Sequence, residues 1–146
     1  LYRGQLLFAR DLELKTHLTK AAIEEMDHYA WCQARLKDLN ANVSIFNPFW
    51  YLGAFSIGLL AAAISDNISL GFVLATEEQV AKHLASHLRD LPREDLQSRA
   101  IVAKMYEDEL THADEAALNG GVRLPFIIQQ LMHVTAQIMI KVSRLI

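Results

Sequence analysis

Glu25, Glu77 and Glu109 each stand in the middle of an otherwise apolar helical stripe, and nothing else in the 146-residue sequence restricts its fold as much. Seven and eleven residues before Glu25 lie Leu18 and Leu14, with Ala21 one turn back; Cys32, Leu36 and Leu39 follow on the same face. Glu77 shares its face with Leu70, Val73, Val80, Ala81, Leu84, Leu88 and Leu91, and Glu109 with Ile101, Val102, Met105, Ala113, Ala116 and Ala117. The neighbouring acids Glu24 and Glu78 fall among charged residues (Glu13, His17, Lys20 and Arg35; Lys82 and Arg89), so both are expected to face water. An ionised carboxylate in an apolar interior costs several kcal/mol unless it is paired, protonated or bound to a metal. Three of them on three helices, with too few inward Lys or Arg to match, ask for a cation.

The rest of the chain is consistent with helices throughout. Six glycines and three prolines interrupt it, and no alternating run bounded by turn residues suggests a strand. The pattern predicts helices over about 1–9, 11–39, a third opening near Pro48 and breaking at Ser65-Asp-Asn, then 69–91, 94–118 and 125–145, with Asn119-Gly-Gly closing the fifth. No linker or low-complexity segment divides it, so residues 1–146 read as one all-α domain. The sequence opens on Leu1 with no basic and apolar leader, and it reads as lacking its natural N-terminus.

Fourteen basic against seventeen acidic side chains give a net charge of −3, which leaves no electrostatic footprint for nucleic acid. The single cysteine, Cys32, excludes an intrachain disulfide and Cys-rich metal sites, and suits a reducing compartment. Apolar residues make up 52% of the chain, and they are unevenly placed: Asp66 is the one charge between Asp38 and Glu77, and none lies between Arg123 and Lys141. The run Phe49–Ile64 would span about 24 Å as a helix, short of a bilayer core of roughly 30 Å. A buried or interfacial helix is expected there rather than a membrane span.

Two of the three inward acids begin Glu-x-x-His units, Glu25-Met-Asp-His28 and Glu109-Leu-Thr-His112. That spacing puts a hard oxygen and an imidazole on one helix face, aimed at one ion. A carboxylate-bridged two-metal bundle takes one Glu from each of two helices and one Glu-x-x-His from each of the other two. Glu77 precedes Glu109 by 32 residues. If the first half mirrors the second, the partner of Glu25 is a Glu roughly seven residues upstream of Leu1.

With Leu1-Tyr-Arg-Gly-Gln5, Glu25-Met-Asp-His-Tyr-Ala-Trp-Cys32, Asn47-Pro-Phe-Trp-Tyr51, Ala75-Thr-Glu-Glu-Gln-Val80 with His83-Leu84, and Asp108-Glu-Leu-Thr-His112, the chain resembles the demethoxyubiquinone hydroxylases of ubiquinone biosynthesis, the bacterial branch in particular. The resemblance implies a ferritin-like four-helix bundle with two extra hydrophobic helices. It implies two iron ions held by Glu25, His28, Glu77, Glu109, His112 and a sixth Glu upstream of Leu1. The implied activity is a dioxygen-dependent hydroxylation of the demethoxyubiquinol ring. Asp108 and Asp27 are candidates to orient the imidazoles. His83 matches a family histidine tied to proton or electron movement; Leu84 follows it where eukaryotic members carry an aromatic residue.

A polyprenyl benzoquinol is a membrane substrate, so a peripheral protein on the cytoplasmic face of the bacterial inner membrane is expected, alone as an oligomer or with other ubiquinone-biosynthesis proteins. Phe49, Trp50, Phe55, Leu59, Phe126 and Met132 are candidate lining for the apolar route of the substrate. Two other readings compete: a different ferritin-like di-iron oxidase or peroxidase, and a metal-free, membrane-associated helical partner protein.

Overall fold

The computed structural model describes residues 1–143 and shows six helices: α1 (Tyr2–Gln5), α2 (Leu12–Asp38), α3 (Asn47–Ile64), α4 (Asp66–Asp90), α5 (Leu96–Leu118) and α6 (Phe126–Ser143). No strand occurs among the described residues. Local chemistry fixes the boundaries. The side chains of Asp11, Ser65 and Asp95 accept the backbone N–H groups of Leu14, Ile68 and Ser98, capping α2, α4 and α5. Asn40 (φ 55°) and Gly120 (φ 94°) take the left-handed conformation that closes α2 and α5. In both, two successive N–H groups turn back onto the last helical carbonyls, from Asn40 and Ala41 to Lys37 and Leu36, and from Gly120 and Gly121 to Ala117 and Ala116.

Three expected boundaries move. The first helix ends at Gln5 rather than at residue 9, because the N–H groups of Leu7 and Phe8 reach back only three residues, to Gly4 and Gln5, in turns. Beyond them the Arg10 N–H bonds Asp66 and its guanidinium bonds the Ala63 carbonyl. The break at Ser65-Asp-Asn shrinks to Ser65 alone, since that hydroxyl starts α4 at Asp66. The Asp95 cap likewise starts α5 at Leu96. Residues 144 and 145, expected in the last helix, lie outside the described residues.

Tyr2 and Ala9 around α1, Leu14, Leu18 and Ala21 of α2, Leu70, Val73 and Leu74 of α4, and Ala113 and Ala116 of α5 form one buried cluster. This is an all-α, ferritin-like bundle of α1, α2, α4 and α5. Arg35 ties the far end of α2 to the start of α5 through Asp95, Gln97 and Ser98. The two remaining helices lie outside the bundle: α3 packs on α1 and α4, and α6 rests lightly on α4. Plain core packing, one of the two readings of the apolar run, does not hold for α3. Only Gly58, Ala61 and Ala62 of it are buried, while Phe49, Tyr51, Leu52, Leu60 and Ile64 are exposed. By length and composition, α3 at 18 residues is able to cross a membrane.

Candidate metal centre

Two of the three inward acids, Glu77 and Glu109, lie buried in the bundle. Glu77 and Glu109 are 3% and 2% exposed, and His28 and His112 are both 2% exposed. Glu25 stands at the rim, its side chain 37% exposed. Glu109 lies between the two imidazoles: its Oε1 is 3.4 Å from His28 Nδ1 and its Oε2 is 3.4 Å from His112 Nδ1. Glu25 approaches the same two nitrogens at 3.7 and 4.0 Å. Glu77, buried alongside, accepts the Tyr2 hydroxyl at 3.0 Å, and the Tyr2 ring meets His112 edge-on. The five residues singled out in the sequence are thus brought together from α2, α4 and α5.

The far nitrogen of each imidazole is held by an acid from the opposite helix. His28 Nε2 of α2 pairs with Asp108 of α5 at 3.1 Å, and His112 Nε2 of α5 pairs with Glu24 of α2 at 2.7 Å. Lys104 braces Asp108, and Lys20 stands 3.8 Å from Glu24. With Nε2 engaged, Nδ1 of each ring faces the carboxylates. Glu24 therefore does not simply face water, as its charged neighbours suggest; it is half-buried, because the α5 imidazole reaches the flank of α2 on which it sits. Of the two acids expected to orient the rings, Asp108 does so, while Asp27 is exposed. The sequence carries a signal for both partners: an acid directly precedes each unit, Glu24-Glu25-Met-Asp-His28 and Asp108-Glu109-Leu-Thr-His112.

These donors fit a cation. His28 Nδ1, His112 Nδ1 and Glu109 Oε2 are fully buried with no hydrogen-bond partner, although charge partners lie within 4 Å. One donor atom each from Glu25, Glu109 and His112 lies within 4.8 Å of the others. Buried orphan atoms are rare and call for an explanation; an ion taking oxygen and imidazole donors supplies one. Among the side chains alone, protons do the balancing. Burial, and then the charges of Glu109 and Glu25, raise Glu77 well above the usual carboxylate range. Burial would lower His28, but Glu109, Glu25 and Asp108 around it push it up to about 11. Burial would raise Glu109, yet the His112 and His28 rings hold it at about 2.

The remaining candidates are placed less centrally. His83 is half-buried on α4, with Nε2 2.9 Å from His87 Nε2 and the rings edge to face. Leu84 after it belongs to the core. Among the candidate channel residues, Phe49 and Phe126 point outward at 68% and 72% exposure, and Trp50, Phe55, Leu59 and Met132 are half-buried. Trp50 donates its indole N–H to Ser143 Oγ at 3.2 Å, which ties the start of α3 to the end of α6.

Fold and site together define a helical bundle with a carboxylate and imidazole group able to hold metal. The chain belongs to the family described as ubiquinone biosynthesis protein COQ7, whose model matches residues 1–143. It is similar to the 3-demethoxyubiquinol 3-hydroxylase of Ralstonia pickettii (strain 12J), 52% identical over 139 residues, which are 95% of this chain and 64% of that protein. The proteins of the same name from Francisella tularensis subsp. novicida (strain U112) and Polynucleobacter necessarius subsp. necessarius (strain STIR1) are each 50% identical over 139 residues, 95% of this chain and 66% of theirs. The chain therefore spans just under two thirds of the length of these curated relatives. No solved structure matches it.

Asp108→Asn and Glu24→Gln test the reciprocal clasp. Partners that orient metal-bound imidazoles are worth roughly 10–100-fold in metal affinity, so each variant is expected to weaken metal binding by that order with helicity unchanged. Chelator competition and circular dichroism on the purified variants measure both; wild-type affinity in the two would remove the clasp's role.

Proposed function

We propose that this chain carries the catalytic bundle of a non-haem di-iron, dioxygen-dependent hydroxylase acting on the ring of demethoxyubiquinol (2-polyprenyl-3-methyl-6-methoxy-1,4-benzoquinol). The observation that carries the reading is the clustering of Glu25, His28, Glu109 and His112 through contacts of 4.0 Å or less, with buried Glu77 behind them, in a chain half identical to proteins named for this reaction. Those five would hold two iron ions together with a sixth Glu supplied upstream of Leu1. When bound, the irons supply the activation of dioxygen that ring hydroxylation requires.

The protein's own side chains have separable tasks. Glu109, facing both imidazoles, would help to hold the ions beside each of them. Asp108 and Glu24 keep the Nε2–H of each ring engaged, which presents Nδ1 as the donor. Glu25, at the rim, borders the side from which solvent and substrate would arrive. Val73, Leu74 and Ala113 belong to the buried apolar core from which these helices are built. His83, paired with His87, is the candidate for moving protons between site and surface.

The substrate and the outer helices suit one another. Ile127, Leu131, Val134 and Ile138 form one exposed apolar face on α6, and Phe49, Leu52, Leu60 and Ile64 another on α3. Apolar faces of this kind on a helix bundle are favourable at a lipid surface. We place them against the cytoplasmic face of the bacterial inner membrane, as a peripheral attachment through which a polyprenyl chain can pass, with Trp50, Phe55, Leu59 and Met132 beside its path.

The test is genetic and chemical. Expressed with its natural flanking sequence in a bacterial mutant lacking this hydroxylation, the protein should convert accumulated demethoxyubiquinone into ubiquinone. Anaerobically loaded protein should carry close to two irons per chain. Failure to restore ubiquinone by a stably expressed, iron-loaded protein would defeat the proposal.

A further inference from the structure

The carboxylate of Glu77 differs from the other buried donors in what stands behind it. His28 and His112 are each held by an acid from the facing helix, whereas Glu77 accepts the phenol O–H of Tyr2, on α1, at 3.0 Å. Tyr2 is 5% exposed, and its ring meets His112 edge-on, with centroids 6.1 Å apart and planes at 73°. It thus touches candidate ligands from both α4 and α5. Its position is set by backbone, since Gly4, two residues on, lies so close to Phe55 of α3 that a Cβ would fall 2.1 Å from that carbonyl oxygen. Gln5, one turn on, donates to the Ser69 carbonyl of α4 at 2.8 Å, two turns before Glu77.

We propose that Tyr2 is a positioning residue of the metal centre, whose O–H occupies Oε1 of Glu77 and leaves the other oxygen to face the cation. The inference rests on the metal-centre reading and adds a residue to it. The hydrogen bond takes one lone pair of Oε1 and resists rotation of the carboxylate, so it biases Glu77 toward engaging metal through its other oxygen.

Cobalt(II) is the probe, since its visible bands report coordination directly. Wild type, Tyr2→Phe, Glu77→Gln and the double variant are compared by chelator competition and absorption spectra. Tyr2→Phe should weaken one of two bound ions by roughly 10–100-fold and alter the bands. In the Glu77→Gln background the same change should have no further effect, because the coupled pair has already been broken. Wild-type affinity and spectrum in Tyr2→Phe would overturn the inference. So would an equal loss in both backgrounds, or unfolding by circular dichroism in both, since each marks a structural role. Wild type that takes up no cobalt would fell the metal-centre reading itself, a different failure from the loss of Tyr2's part in it.

Discussion

Glu109→Ala should bring ubiquinone restoration down to background and cut bound iron by at least half. Glu109 is the buried side chain whose two oxygens each face a different imidazole, at 3.4 Å on both sides, closer than Glu25 at 3.7 and 4.0 Å. On the di-iron proposal, its removal would therefore take a donor from both ions at once. Glu109→Gln separates charge from shape. The amide fills the same space but offers a neutral oxygen on one side and an N–H on the other, so it too should lose iron and activity. Neither variant is expected to unfold. Removing one partner of a buried ion pair costs about 3–5 kcal/mol where the other charge is stranded, but His28 and His112 keep Asp108 and Glu24 as partners. The measurements are iron per chain after anaerobic loading and the ratio of demethoxyubiquinone to ubiquinone in the complemented strain. Full turnover by Glu109→Ala would end the di-iron proposal.

The convergence of these acids is legible in the amino-acid sequence because burial of charge leaves a periodic trace. Glu77 and Glu109 interrupt stripes whose other members are apolar, and both are buried. The same logic places Glu25, but with less force: its stripe continues through Cys32, Leu36 and Leu39, which are half-buried or exposed, and Glu25 itself lies at the rim. Glu24 escapes the pattern for a related reason. Face assignment on a helical wheel treats a side chain as a direction, whereas a glutamate reaches several ångströms sideways, far enough to meet His112 from the flank of α2. Tyr2 leaves no such trace, because its significance is not periodic; it depends on a contact 75 positions away. Helix ends written in side-chain chemistry, such as Asn119-Gly-Gly, are readable locally, while the chain beyond α1 is held by Arg10 reaching Asp66 and Ala63, which no local pattern announces.

The docking of α1 leads to the second large effect. Gly4→Ala places a Cβ 2.1 Å from the Phe55 carbonyl oxygen and 2.8 Å from the Leu59 nitrogen, both backbone atoms that cannot rotate away. The crossing of α1 and α3 must open. Overpacking of this kind costs typically about 1–3 kcal/mol and sometimes more, against a gain in helix propensity of at most about 1 kcal/mol for replacing glycine by alanine. At the upper end, a net loss of about 2 kcal/mol, set by a clash with two backbone atoms, would lower the melting temperature by roughly 4–8 °C in a chain of this size. The displaced turn carries Tyr2 away from Glu77, so metal affinity should fall as well. Gly53→Ala is the matched control. It lies on α3, the helix that Gly4 packs against, but a Cβ there has nothing within 4 Å, so only the propensity gain remains and the melting temperature should rise slightly. Thermal melts of the two variants beside wild type decide the matter. If Gly4→Ala melts with Gly53→Ala, the backbone contact between α1 and α3 does not fix Tyr2, and the positioning of Glu77 must come from elsewhere in the bundle.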